Sequence, residues 1–233
     1  MNSVINDYYS RTRKYIRTHL QLRLFEDSSP IVVASTGRAG STLLFDAIRK
    51  CYISKRYKID IDSVKGNMLV KLCSDYVDRL PEIEHNRSVV FKTHCQWRPE
   101  IGLQAKFIFV HGDPLDSALS VGRMTEKNGR DWFKQHQYHL GATGDFSDLF
   151  QKDVLNYEDQ IMLWGHANDE RILCVAFEDL WKRNNQISAH VDFEVKLPAY
   201  RERTKIDKPK HINDELFDRL RKLRFDIPVY RKK

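Results

Sequence analysis

The segment Ile31-Val-Val-Ala-Ser-Thr-Gly-Arg-Ala-Gly-Ser-Thr-Leu-Leu44 constrains this chain more than any other. A β-branched apolar run enters a loop with two glycines, an arginine and two hydroxyls, and a helix-compatible run to Lys50 leaves it. Strand, glycine turn, helix is the sequence form of an anion-binding loop. Glycines let the backbone approach an anion closely, and the N–H groups that open the helix point at it. By itself the segment can also be read as a plain glycine turn between a strand and a helix, the less favoured of the two readings. The kinase-type loop GxxxxGK[ST] needs a lysine before its hydroxyl, whereas here Gly40 precedes Ser41 directly. The cation within the loop is Arg38.

The rest of the chain alternates short apolar runs with helical patterns. Strands are predicted at Val32 to Ser35, Ser88 to His94, Lys106 to His111 and Arg171 to Phe177, with a weaker alternation at Tyr57 to Ile61. Helices are predicted at residues 5 to 24, Ser41 to Cys51, Asn67 to Leu80, Pro114 to about Thr125, Val154 to Asn168 and Asn213 to Arg224. Residues 126 to 152 show little periodicity, and residues 181 to 210 read as loop. The expected fold is a single α/β domain over residues 1–233, with a basic helical extension at 1–28 and a parallel sheet covered by helices on both faces. Ligands of such sheets bind beyond the carboxyl ends of the strands.

A length of 233 residues with 41% hydrophobic residues supports a sizeable core in one domain. No apolar run approaches the roughly 20 residues that span a bilayer, and the first 24 residues hold no continuous apolar stretch of the secretory type. The four cysteines, at 51, 73, 95 and 174, stand far apart with no metal-like spacing, so reduced thiols and a cytoplasmic location are expected. The net charge of +7 is concentrated at Arg11 to Arg23 and Arg219 to Lys233 and reads as a solvated basic face. With no helix-turn-helix, zinc-finger or RNP pattern, a nucleic-acid partner is not expected.

Chemistry gathers at the predicted strand ends. The second strand closes on Lys92-Thr93-His94, and the third leads into His111-Gly-Asp-Pro-Leu-Asp-Ser-Ala-Leu-Ser120. The last strand runs into Ala176-Phe-Glu-Asp-Leu180. Together with the Arg38 loop, and in this order, these segments resemble those of sulfotransferases that use 3′-phosphoadenylyl sulfate (PAPS). The resemblance spans residues 31 to 180. It implies that Gly37, Arg38, Ala39, Gly40, Ser41 and Thr42 hold the 5′-phosphosulfate, that Lys92 assists at the transferred group, and that His94 is the base for a small-molecule acceptor. It also implies that Ser120 holds the 3′-phosphate, that adenosine 3′,5′-bisphosphate (PAP) is the product, and that no metal is needed.

One departure is large. Gly112 occupies the place of the arginine that grips the 3′-phosphate in that family. His111, Arg123, Arg201 and Arg203 are candidate replacements. Trp132 to His139 falls where the family places acceptor contacts, or is an ordinary helix with one face in the core and one on the surface. Two other readings stay open, a nucleotide-dependent kinase with Asp113 on magnesium and a nucleotide-binding module without catalysis.

Overall fold

The computed structural model describes residues 28–98, 103–201, 209 and 211–227, together with 17, 19–21 and 23–25. Most of the predicted N-terminal helix and Arg203 lie outside the described residues. Five strands form one sheet: β1 (Ile31–Ser35), β2 (Ser74–Tyr76), β3 (Val90–Thr93), β4 (Lys106–His111) and β5 (Ile172–Ala176). All pairings are parallel and the order is β2-β3-β1-β4-β5. Helices α1 (Ser41–Tyr57), α2 (Val64–Leu72), α3 (Pro114–Asn128), α4 (Arg130–Leu140), α5 (Tyr157–Gln160), α6 (Asn184–Val191) and α7 (Asp214–Phe225) join and flank the strands. The fold is the expected α/β class with a central parallel sheet.

Every residue of β1 is buried, because helices cover both faces of the sheet. Val32 and Ala34 face one core with Phe91, Phe107, Phe109 and Trp164. Ile31 and Val33 face the other with Leu44 and Ile48 of α1, Ile108 and Val110. Strand order reverses about β1, with β3 on one side and β4 on the other. The crevice at such a reversal is where open α/β sheets bind ligands, and the loop 36–40 opens there.

Trp164 anchors the first core. It lies in a π-helical turn (Ile161–Gly165), stacks on Phe109 at 5.7 Å and contacts Trp97 at 5.1 Å. Its indole N–H donates to the Cys95 carbonyl at 2.9 Å. The predicted long helix at 154–168 is this turn plus the short α5. The N–H of Ile172 returns to the Asp169 carbonyl, so chain reversal comes just after the turn.

Other expectations need correction. The helix predicted for Asn67 to Leu80 ends at Leu72, and Ser74–Tyr76 is instead an edge strand on β3. The strand predicted at Tyr57 to Ile61 is absent, since α1 continues to Tyr57 and stops at Lys58 in the left-handed region. Residues 126 to 152 contain α4, and residues 181 to 210 contain α6. In α4 the buried positions are Phe133, His136, Gln137 and Leu140. Their spacing is helical, but two of the four are polar, so hydrophobic periodicity did not reveal the helix. The four cysteines are unpaired, and among the described residues no helix is long and apolar enough to cross a membrane.

Replacing Trp164 by Ala should cost about 3–5 kcal/mol, the usual range for a fully buried aromatic. Chemical denaturation of the variant against the parent checks this. A loss below about 1 kcal/mol would mean that the site collapses around the gap or that the core does not depend on this ring.

Candidate active site

The loop after β1 is built by reversed backbone handedness. Gly37, Arg38 and Gly40 all have positive φ, at 75°, 52° and 80°. A Cβ on Gly40 would stand 2.2 Å from the Phe177 ring, so glycine is required there on two counts. Arg38 takes this conformation as a non-glycine, a strained choice usually over-determined by its surroundings. Its Nε donates to Ser120 Oγ at 3.0 Å, tying the loop to α3. Ala39 is fully buried, packed beside Gly112 at the end of β4.

Strand register delivers the next residues. Ala34 pairs with Thr93, which brings Ser35 level with His94. Nδ1 of His94 lies 2.9 Å from Ser35 Oγ and 3.2 Å from the Ser35 carbonyl oxygen. A carbonyl can only accept, so Nδ1 carries the proton and Nε2 keeps a free lone pair. Ser35 Oγ in turn donates to Ser41 Oγ at 2.9 Å, at the start of α1. Lys92 Nζ donates to Thr42 Oγ1 at 2.7 Å. The structure therefore brings together Arg38, Ser41, Thr42, Lys92, His94 and Ser120, all expected from the sequence.

Helix α4 borders a cavity beside His94. Tyr76, His94, Trp132, Gln135, His136 and His139 line one cavity of about 270 Å³. His139 also lines the neighbouring cavity of about 590 Å³ with Asp78, Leu80 and Tyr138. His139 Nδ1 is 2.7 Å from Asp78 Oδ1. His136 stacks on Trp132 at 5.0 Å and meets His94 edge-on at 6.1 Å. Sequence reasoning marked 132–139 as a span without singling out His136.

Burial shifts His94, His136 and Lys92 toward their neutral forms. It pushes His94 down to about 3, aided by Lys92 and His136, and it lowers His136 to about 4, aided by Arg38, His139 and Lys92. Lys92 is lowered for the same reasons, burial and then the charge of Arg38. The free protein thus keeps His94 neutral well below the usual imidazole range.

The far side of the loop differs from expectation. His111, a candidate for the missing 3′-phosphate arginine, is buried, and its Nδ1 accepts from Arg224 Nε at 3.1 Å. Burial, with the charges of Arg224 and Arg183, lowers it to about 3. Arg224 is only 5% exposed and also pairs with Glu178. Arg221 Nε donates to Asp113 Oδ2 at 2.7 Å. Burial alone would raise the Asp113 pKa, but Arg221 and the N–H groups of Leu115 and Asp116 outweigh it and lower the carboxyl. The basic C-terminal run is therefore not merely a solvated face, because two of its arginines lock α7 to the ends of β4 and β5. Asp113 is occupied as the N-cap of α3, not turned out for a cation. Arg123 and Arg201 are exposed. Among the described residues no group of three or more His, Cys, Asp or Glu is placed to hold a metal.

The three neutral histidines make stability depend on pH in one direction. Their folded pKa values lie below the ordinary 6.5, so the unfolded chain binds more protons below that pH. Their contribution is complete above pH ~6.5 and is lost as pH falls toward 3–4. Melting temperature should fall from pH 7 to pH 4.5, and more gently in His94→Gln. A flat profile for the parent would show that these imidazoles are not held neutral.

No protein-family model matches the chain, and no curated protein matches it. Solved structures similar to it include mouse sulfotransferase SULT7A1 complexed with PAP, at 17% identity and a TM-score of 0.44, covering 78% of this chain and 66% of that one. Retinol dehydratase with androsterone and PAP is similar at 17% identity and a TM-score of 0.38, covering 88% of this chain and 68% of the other. Retinol dehydratase with retinol and PAP gives 16% identity and a TM-score of 0.41, with 88% and 67% covered. The chain thus spans about two thirds of the length of these proteins.

Proposed function

We propose that this protein is a sulfotransferase that moves a sulfuryl group from PAPS to a hydroxyl or amine of a small-molecule acceptor. The observation that carries this reading is the meeting of β3 with the loop. Lys92 reaches Thr42, and His94, with its proton on Nδ1, turns Nε2 away from Ser35. A cation and a lone pair are thereby held beside an anion-binding backbone at the carboxyl end of the sheet.

Each residue then has a chemical role. Backbone N–H groups of the loop and of the start of α1 receive the 5′-phosphosulfate. Arg38 and Lys92 stabilise the charge that grows on the bridging oxygen as its bond to sulfur breaks and the electron pair stays with the phosphate. His94 Nε2 takes the proton of the acceptor hydroxyl as the new sulfur–oxygen bond forms. With a pKa near 3 in the free protein, His94 is a weak base until negative charge is seated beside Lys92. An anion nearby raises an imidazole pKa, so donor binding and base strength are coupled. Ser120, linked to Arg38, faces the 3′-phosphate.

Ligand preference tests this. PAP should raise the melting temperature more than ATP with magnesium, because a ligand of the native state stabilises it by mass action. A larger, magnesium-dependent shift with ATP would favour the kinase reading, and PAP binding without any transfer would favour a non-catalytic module. Arg38→Ala should lower turnover by at least about tenfold with little change in folding, the size expected for removing one transition-state contact. His94→Gln should abolish transfer to an aliphatic alcohol while keeping PAP affinity. If the 3′-phosphate is recognised despite Gly112, 5′-AMP should bind clearly more weakly than PAP, and equal affinities would remove Ser120 from the donor site.

A further inference from the structure

His136 has no place in the scheme above, yet its position is unusual. It is 8% exposed, and its Nε2 is buried with no hydrogen-bond partner among the described residues. A buried polar atom left unpaired costs on the order of 1–3 kcal/mol, so it is ordinarily satisfied by something. The ring is not free to turn away, because it stacks on Trp132 with an interplanar angle of 10°. Nε2 and Cε1 lie over Gly37, where a Cβ would come within 3.2 Å and 3.3 Å of them. The same ring lines the cavity shared with His94 and Tyr76. His136 therefore stands at the seam between the anion loop and the acceptor cavity.

We propose that His136 is a further catalytic residue, whose Nε2–H donates a hydrogen bond to a non-bridging oxygen of the sulfuryl group during transfer. The inference rests on the sulfotransferase reading. A group passing from the loop to an acceptor beside His94 must cross the space in front of His136. Its oxygens are acceptors, and they supply the partner that Nε2 lacks. No proton moves to or from His136: the acceptor's proton goes to His94, and the departing electron pair stays on the leaving phosphate. The surroundings keep the imidazole neutral, through burial and then the charges of Arg38, His139 and Lys92. A neutral donor suits the task. It offers a directed hydrogen bond to the sulfuryl oxygen without adding a full charge that would also tighten the grip on the product PAP.

The product lacks the sulfuryl group, so the ratio of PAPS to PAP affinity isolates this contact without knowledge of the acceptor. Calorimetry on the full chain would compare the parent with His136→Phe, which keeps the stack on Trp132, and with His136→Gln, which keeps an N–H donor. His136→Phe should bind PAP as the parent does and lose about fivefold in affinity for PAPS, the size of one hydrogen bond. His136→Gln should retain most of the PAPS preference. If the phenylalanine variant does not fold, His136→Ala carries the same comparison, with the preference lost in alanine and kept in glutamine. Unchanged PAPS preference in both Phe and Ala, or an equal loss for PAPS and PAP, would overturn the inference while leaving the sulfotransferase reading intact. A parent protein that binds neither nucleotide would overturn both.

Discussion

The site depends on a backbone that is left-handed at three of four consecutive residues. Left-handed geometry at Gly37, Arg38 and Gly40 folds the chain tightly between the central strand and α1. Two of the three positions are glycine, which tolerates this at no steric cost. The third is Arg38, and a left-handed non-glycine costs on the order of 1–2 kcal/mol. The surroundings hold it there. Ala39 is packed away completely, Arg38 is bonded to Ser120, and the Phe177 ring closes over Gly40. The strain and the proposed function have one origin, since a turn of alternating backbone hand is the kind that can present N–H groups to an anion.

Electrostatics follow from that packing. Lys92, His94 and His136 crowd the same space beside Arg38, each with its pKa pushed in the direction of the neutral form, and burial is the first cause in every case. The free site is consequently poised for negative charge. An anion bound beside Arg38 and Lys92 would offset the repulsion between these two cations. In the proposed reaction the same anion would raise the His94 pKa and so strengthen it as a base when a donor is present. Burial is thus not a defect in a candidate base but a way to keep it unprotonated until needed.

Much of this was legible in the sequence because it is local. The run from Ile31 to Thr42 carries its own strand, turn and helix signals, and Lys92 and His94 stand at the end of an apolar run that can only be a buried strand. What was not legible depends on tertiary context. Helix α4 buries His136 and Gln137 where a pattern reader expects apolar residues. The edge strand β2 is three residues long, too short for alternation to register. Arg224 looks like one more surface charge in a basic tail, and only the fold reveals it buried between His111 and Glu178. Aromatic and histidine content singled out 132–139, a segment that does line the cavity beside His94, but not which of its rings would lie over Gly37.

Gly112 links these observations. Its carbonyl accepts from the buried Tyr157 hydroxyl, and a Cβ there would already touch Ala39 at 3.4 Å. Ala39 and the Ser117 hydroxyl are thus the nearest neighbours of any side chain placed at 112. Beside it, Asp113 caps α3 and binds Arg221, while His111 binds Arg224. The strand end that a sulfotransferase of the resembling kind uses for a cation is given over here to anchoring α7. The cations gathered at this end are matched to Asp113 and Glu178 of the chain itself, which makes them structural before they are anything else. Under the proposed function, selectivity for a donor leans on the other side of the loop, where Arg38, Ser120, Lys92 and the imidazoles of β3 and α4 converge.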